Sequence, residues 1–469
     1  MTAFEKLQTG LGALAESRRL TSHDQWTSSQ LASHGHERLL ALLAHARTHS
    51  PFYRDRLAGV SLGPGLELAC LPTLDKATML ENFDELVTDR RLHLAELERH
   101  LTEAQGDPLY LGDYRIMATG GTTGRRGLFA YSRRDWREVI GGMMRWTTGF
   151  LGLAPRLPRR RRIAAVAADS PMHMTARMGA SVDLGMHCVL RLDARSPLDD
   201  LARNLDAFRP EALVAYPSSA AMLAEEQLAG RLRIAPEIVC TTSEVRTAEM
   251  EERIVAAWGV QPYNSYASTE TGILAVDCDE HRGLHALTDQ TLLEVVDADG
   301  GPVPAGTAGS RILVTSLVNR TQPLVRYEIT DLVTLTHEPC PCGRPFPRIL
   351  ALDGRSDDIL ALPSVAGGTA LVHPLALRSP LAKVVGLRQY RLVHDADGIT
   401  VEAVLTSPAA AAEIVECLRD ALARQGVTTV PLRVAPVAAI ARHHDSGKLK
   451  LIESRVPRSG RVGPTSGVA

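Results

Sequence analysis

Aromatic residues are scarce, at 4% of 469 residues, which leaves little material for the stacking platforms of single-stranded nucleic-acid binders. Neither sign of charge dominates: 52 Lys+Arg against 54 Asp+Glu give a formal net charge of −2. No overall field therefore draws the chain to a polyanion or an anionic membrane, and neither nucleic acid nor membrane is expected as a partner. Uninterrupted apolar runs of the ~18 residues that a spanning helix needs are missing. Charges also arrive too early in MTAFEKLQTGLGALAESRR for a secretory core, so a cytoplasmic location is expected. Lysine is rare, with only five among the 52 basic residues. Where arginine is the default cation, two lysines in one short stretch, Ser446-Gly447-Lys448-Leu449-Lys450, point to a need for a compact, mobile ammonium.

Cysteine is sparse and its count, seven, is odd. Cys70, Cys188, Cys240 and Cys417 stand in apolar surroundings and are expected to be reduced core residues. Cys278, Cys340 and Cys342 lie among glycines, prolines and charges and call for another explanation. With 45% hydrophobic and 23% charged residues the composition is that of a folded globular protein. At about 100–200 residues per domain the length allows two to four domains.

The first hundred residues carry helical periodicity, with Leu39, Leu40, Leu42 and Leu43 and then Leu92, Leu94 and Leu97. From about residue 162, short apolar runs (163–168, 212–217, 237–242) alternate with helical patterns. One of these has Leu198, Leu201, Leu205 and Phe208 at helical spacing, with Ser196 or Asp199 as candidate caps. Such alternation implies a largely parallel sheet. Between about 284 and 335, strand-like segments joined by turn clusters predict an antiparallel, barrel-like region. Beyond a boundary near Arg355 the pattern is that of a small α+β unit, with a helix around 408–424, and the last residues lack periodicity. The expected domains are 1–354, 355–455 and a loose tail 456–469.

Three stretches carry chemistry. Met117 to Gly127 reads MATGGTTGRRG: glycines let the backbone approach a polyanion, hydroxyls and amides donate to it, and arginines add charge. The P-loop pattern is excluded, because no lysine stands between 77 and 382. Tyr263 to Gly272, YNSYASTETG, places a hydroxyl beside a carboxylate after an apolar strand, suited to a phosphate oxygen and Mg²⁺. Arg326 to Asp331, RYEITD, ends on a carboxylate able to accept from two ribose hydroxyls.

Taken in order, these pieces resemble the adenylate-forming superfamily, most closely its phenylacetate–CoA ligase-like branch. TGGTTG is similar to the family's [ST]SGTTG loop, NSYASTE to NxYGxTE, RYEITD to RYxTGD, GRSDD (354–358) to the GRxDD hinge, and SGKLK to the terminal GK segment. SPFYR (50–54) and LPTLDK (71–76) resemble the branch's N-terminal elements. The resemblance implies an α/β fold: a large N-terminal domain of parallel sheets, helices and a small antiparallel barrel-like region, with a small mobile α+β C-terminal domain. It implies that Thr119, Gly120, Gly121, Thr122, Thr123 and Gly124 hold the β,γ-phosphates of ATP. Ser243 and Glu244 would line the adenine site, and Tyr266 would belong to the ATP site. Thr269 would touch the α-phosphate, Glu270 would hold Mg²⁺, and Asp331 and Arg355 would fix the ribose. Asp357 would be the hinge, and Lys448 the catalytic ammonium. Departures from the family pattern are Arg125-Arg126-Gly127 after the loop, Ala267 in place of the customary Gly, and no Gly before Asp331. The Cβ of Ala267 would narrow the floor beside the α-phosphate or substrate. Asp169 to Arg177, with Met172, His173 and Met174, is expected to approach the acid pocket.

Cys278-x2-His281 and Cys340-x-Cys342 can close a tetrahedral Zn²⁺ site of three thiolates and an imidazole, with His285 as the competing nitrogen donor. In the branch such a zinc is structural. The function implied is ATP-dependent activation of a carboxylic acid, aryl or arylacetic, to an acyl-adenylate, then transfer to a thiol such as coenzyme A. Alternatives within the class are capture by a carrier-protein thiol, by an amine to give an amide, or activation of nitrite for diazotisation. From another class, the alternative is a zinc-stapled nucleotide-binding protein without turnover. A homodimer is common in the branch, though no residue pattern here demonstrates one.

Overall fold

The computed structural model describes the chain except residues 1–2, 104–107, 120–125, 154–158, 169–172, 182–186, 428–429, 444–445 and 457–469. The residues expected to form a loose tail thus fall, from 457 on, outside the described residues. Two compact units emerge: Met1–Leu352 with His444–Lys448, and Asp353–His443 with Leu449–Ala469.

The described part of the first hundred residues is helical between its loops, as its periodicity predicts. The helix Ser28–His49 starts at a capping box in which Thr27 and Gln30 bond reciprocally, and it buries Leu31, Leu39, Leu42, Leu43 and Ala46 on one face. A second capping box, Ser132 with Asp135, starts the helix Arg133–Arg145. The helix Leu198–Phe208 buries Leu201 and Leu205 as expected, but neither Ser196 nor Asp199 caps it. Pro197 occupies the N-cap position with no side-chain cap, its fixed φ presetting the first turn while Asp199 and Asp200 face the positive end of the helix dipole.

Strands in the larger unit begin with β1 (Arg115–Ala118) and β2 (Leu128–Tyr131), an antiparallel pair. There follow β3 (Arg162–Ala167), β4 (Cys188–Asp193), β5 (Ala212–Ala215), β6 (Ile238–Thr242), β7 (Tyr263–Ser268), β8 (Gly272–Val276) and β9 (Leu284–Ala286). The series continues with β10 (Thr291–Val296), β11 (Arg311–Ser316), β12 (Tyr327–Ile329), β13 (Asp331–Thr336) and β14 (Arg348–Arg355). One sheet has the order β13-β14-β9-β8-β7-β6-β5-β3-β4. From β4 through β7 all neighbours are parallel, and β8 and β9 continue antiparallel. The short apolar runs of the sequence are these parallel strands, which lie in the interior of the sheet. β10, β11 and β12 form a separate antiparallel sheet within the stretch predicted to be antiparallel.

In the smaller unit, β15 (Leu360–Pro363) pairs with β16 (Thr369–Val372), and β17 (Leu387–Asp395) with β18 (Gly398–Leu405). β19 (Leu432–Pro436) and β20 (Ile452–Ser454) flank that second hairpin in parallel. The helix Ala410–Arg424 buries Ile414, Leu418 and Leu422 in the same core as Leu392, Val401 and Ala403. No helix among the described residues is long and apolar enough to cross a membrane.

The cysteine expectation holds in part. All seven are free, but Cys240 is the buried one of the four, Cys188 and Cys417 are half-buried and Cys70 is exposed. Cys70 ends a single 3-10 turn, Leu68–Cys70, that buries none of its residues.

Deep in the larger unit lies a cluster of alternating charge. Arg145, fully buried, donates from Nε to Asp24 at 2.9 Å and from Nη1 to Asp289 at 2.8 Å. His23 Nδ1 lies 2.8 Å from the same Asp289 oxygen. Burial disfavours the Asp289 carboxylate, yet Arg145 and His23 outweigh it and hold its pKa below the ordinary value. Replacing Arg145 by Met removes the cation that Asp24 and Asp289 share and leaves them only His23 and the longer contact from Arg344, so a loss of about 3–5 kcal/mol is expected in urea unfolding. A change too small to move the midpoint would contradict this account of the cluster.

Candidate functional site

Thr119 closes the β1–β2 hairpin: its N–H donates to Gly127 O at 2.9 Å and its Oγ1 accepts the Gly127 N–H at 2.9 Å. Gly120, Gly121, Thr122, Thr123 and Gly124, within that connection, lie outside the described residues. At the far end of β2, the Tyr131 hydroxyl donates to the Thr269 carbonyl at 2.8 Å. Tyr131 is fully buried. Burial first, then the charges of Glu270 and Asp135, raise its pKa well above the ordinary value, so it stays a neutral donor.

Thr269 and Glu270 form the turn between β7 and β8, followed by a contact of 3.0 Å between the hydroxyls of Ser268 and Thr271. On β7 itself, the Tyr266 hydroxyl donates to Asp331 Oδ2 at 2.5 Å. Asp331 opens β13, and the chain leading to it is anchored by Arg326. That guanidinium pairs with both Glu294 oxygens at 3.0 Å and caps the Ala69 and Leu71 carbonyls. Ser243 and Glu244 follow β6, the parallel neighbour of β7 in which Thr242 pairs with Ser265. Ser243 has φ +70, and Glu244 accepts the Ser218 N–H at 3.1 Å at the start of the helix Pro217–Leu228. Ser243, Glu244, Tyr266, Thr269 and Glu270 thus gather at the carboxyl ends of neighbouring parallel strands, where open α/β sheets bind ligands. Asp331 is bonded to that group and Thr119 lies on the hairpin bonded to it.

Lys448 belongs to the larger unit. Just before it, the Ser446 carbonyl accepts from the buried Tyr216 hydroxyl at 3.0 Å, which itself accepts the Ala168 N–H at 3.0 Å. Arg355 and Asp357 lie in the smaller unit, Arg355 at the end of β14 and Asp357 in the turn Ser356–Asp358. There Lys450 Nζ is 3.5 Å from Asp358. Met172 lies outside the described residues. His173 precedes the helix Met174–Ser181, in which Met174 and Arg177 are buried. Ala267 sits at an irregularity in the β7–β8 ladder, paired with Ile273.

The thiols converge as expected, but with a different histidine. Sγ of Cys278 and Cys340 are 3.8 Å apart, and His285 Nε2 lies 3.4 Å from Cys278 Sγ and 3.3 Å from Cys342 Sγ. All four donor atoms fall within 4.8 Å of one another. A tetrahedral zinc with bonds of about 2.3 Å to sulfur and 2.0–2.1 Å to nitrogen spaces its ligands at roughly 3.8 Å (S···S) and 3.5 Å (S···N), so the donor set fits. His281 is not in this group. Its residue takes φ +48 in the turn, and its Nδ1 is held 2.8 Å from Asp277 Oδ2. Burial, then Arg344 and Arg348, pushes His285 down to about 4, keeping its imidazole neutral and able to ligate. Burial works against the Cys342 thiolate, but the Arg344 backbone N–H and other hydrogen bonds hold its pKa below the ordinary value.

Sequence reasoning missed Tyr131 and Tyr216, whose aromatic rings read as ordinary core, and the amides Asn319 and Gln322. The only signal for the amides is their place just before RYEITD.

No protein-family model matches the chain. Among solved structures, 2-hydroxyisobutyryl-CoA ligase in its postadenylation state superposes with a TM-score of 0.71 at 21% identity, over 92% of this chain and 91% of that one. That likeness shows that the chain shares the fold of that ligase. Among curated proteins, the phenylacetate-coenzyme A ligase of Thermus thermophilus is 28% identical over 384 residues, 79% of each chain. That of Pseudomonas putida is 25% identical over 385 residues, 78% of each. The resemblance to the adenylate-forming superfamily and its phenylacetate–CoA ligase-like branch therefore stands on sequence as well as fold.

The donor geometry makes a direct forecast for metal binding. His281→Ala is expected to retain stoichiometric Zn²⁺ and His285→Ala to lose it, as read by elemental analysis after dialysis. Equal zinc in both variants would refute the ligand set.

Proposed function

We propose that this chain is an ATP-dependent, AMP-forming acyl-CoA ligase whose acid is aryl or arylacetic. The carboxylate attacks the α-phosphorus of ATP, the bond to pyrophosphate breaks, and an acyl-adenylate forms. The thiolate of coenzyme A then attacks the acyl carbon and AMP departs. Activation is required because a carboxylate is a poor electrophile, whereas AMP is a good leaving group.

The observation that carries this reading is the pair of bonds Tyr131 to Thr269 and Tyr266 to Asp331, through which three motifs distant in sequence form one group. In the reading, Thr119 and residues 120–124 hold the β,γ-phosphates, Ser243 and Glu244 face adenine, and Tyr266 orients Asp331 toward the ribose, assisted by Arg355. Thr269 touches the α-phosphate. Glu270 would hold Mg²⁺, which neutralises charge on the leaving pyrophosphate. Lys448 brings its ammonium to the oxygen charge that grows in the transition state, where positioned cations contribute most. Asp357 is the hinge on which the smaller unit turns between half-reactions. Cys278, His285, Cys340 and Cys342 hold a structural zinc that joins β9 to the loop before β14 and takes no part in the chemistry. The assignment of the acid to the aryl class is supported by the names of the curated relatives.

Lys448→Ala is expected to lower ATP–pyrophosphate exchange by about 100- to 1000-fold while ATP affinity changes by no more than a few-fold. Turnover equal to the parent would remove Lys448 from the mechanism. The same exchange assay across aryl acids, arylacetic acids and nitrite tests the substrate class: exchange supported by arylacetic or aryl acids is expected, and exchange with nitrite alone would overturn it.

A further inference from the structure

β2 belongs to a two-stranded sheet, with β1 on one side and, among the described residues, no strand on the other. All four of its residues are buried, so the backbone groups on its free edge have no access to water and must be satisfied some other way. Two side-chain amides satisfy them. Gln322 Oε1 accepts the Ala130 N–H at 2.9 Å, and Gln322 Nε2 donates to the Leu128 carbonyl at 3.1 Å. Asn319 Nδ2 donates to the Ala130 carbonyl at 2.9 Å. The orientation of both amides follows from these partners, since a backbone N–H needs an acceptor and a carbonyl needs a donor. Asn319 Oδ1 in turn accepts the Gln322 N–H at 2.9 Å, and both residues are fully buried.

The turn bearing these amides is itself fixed from two sides. Asp135, at the start of the helix Arg133–Arg145, accepts from Arg320 N at 3.2 Å, Thr321 N at 3.3 Å and Thr321 Oγ1 at 2.5 Å. Thr88 donates from its hydroxyl to Arg320 O at 2.9 Å and from its N–H to Thr321 O at 2.9 Å. The chain then continues, with Pro323 O accepting the Tyr53 hydroxyl at 2.9 Å, directly into Arg326–Asp331.

We propose that Asn319 and Gln322 are positioning residues for the phosphate end of the nucleotide. Their amides substitute for a missing strand, hold β2 in register with β1, and so fix both ends of the connection from Thr119 to Gly127. The same rigid turn leads into the segment carrying Asp331, so the phosphate-holding and ribose-holding parts share one support. This inference rests on reading the connection as the β,γ-phosphate holder. An apolar isostere at 322 removes the partners of the Ala130 N–H and the Leu128 carbonyl, and a carboxylate there sets a negative oxygen against the Leu128 carbonyl.

The test compares ATP with AMP by titration calorimetry on the full-length protein, because AMP lacks the phosphates that the connection would hold. Gln322→Met and Gln322→Glu are expected to weaken ATP binding by roughly ten-fold, the loss of one or two hydrogen bonds' worth of positioning, while AMP affinity stays within about two-fold. AMP binding also certifies that each variant is folded. Should neither variant fold, Asn319→Ser withdraws the donor to the Ala130 carbonyl and the Oδ1 acceptor of the Gln322 N–H and carries the same prediction, with ATP weakened by roughly three- to ten-fold. Equal weakening of ATP and AMP would reduce the amides to general packing, and unchanged ATP affinity would dismiss them altogether; either result overturns the proposal. A parent protein that binds neither nucleotide would instead overturn the ligase reading from which it starts.

Discussion

The hydrogen bond from Tyr266 to Asp331 makes one surface of two segments that the chain otherwise keeps apart. Tyr266 lies on a strand of the large sheet and Asp331 opens β13. A carboxylate has about four lone-pair sites on its two oxygens, so accepting from one phenol does not exhaust its acceptor capacity. The second bond of this kind, from Tyr131 to the Thr269 carbonyl, brings the β1–β2 hairpin to the same place. Each bond runs from a tyrosine hydroxyl on a strand, so the sheet and hairpin set the position of the segments proposed to meet the ligand.

Other buried polar groups serve this arrangement at a distance. Arg145, Asp24, Asp289 and His23 form a paired ionic cluster, and Arg344 reaches Asp24 at 3.4 Å while its guanidinium lies 3.9 Å over Phe150. Arg344 follows the cysteine pair after one glycine, and against the effect of burial its backbone N–H helps to lower the pKa of the Cys342 thiol. The loop carrying Cys340 and Cys342 is thus joined to Asp24 in the N-terminal region through one arginine. A three-thiolate site carries excess negative charge, and a neighbouring guanidinium is a suitable counter-ion for it.

Much of this was legible in the residues. Leucines at helical spacing become the buried faces of the N-terminal helices, the short apolar runs become β3, β5 and β6, and the order of the glycine, hydroxyl and acidic motifs pointed to an adenylate-forming ligase. What was not legible depends on which way a side chain faces. His281 and His285 lie in one turn-rich stretch, and spacing alone cannot say that Asp277 takes the first ring while β9 turns the second toward the thiols. Little in the sequence singles out Asn319 and Gln322, because their role arises from a strand edge far away in the chain. Cys70 looked like core from its apolar neighbours, but a single tight turn leaves it outside.

The account's central claim is that these converging residues surround one nucleotide. A crystal structure of the protein with a non-hydrolysable acyl-adenylate analogue tests it most directly. The account predicts the ribose hydroxyls on Asp331 and the phosphate analogue beside Thr269. An analogue bound elsewhere, with Asp331 and Thr269 touching none of it, would contradict it.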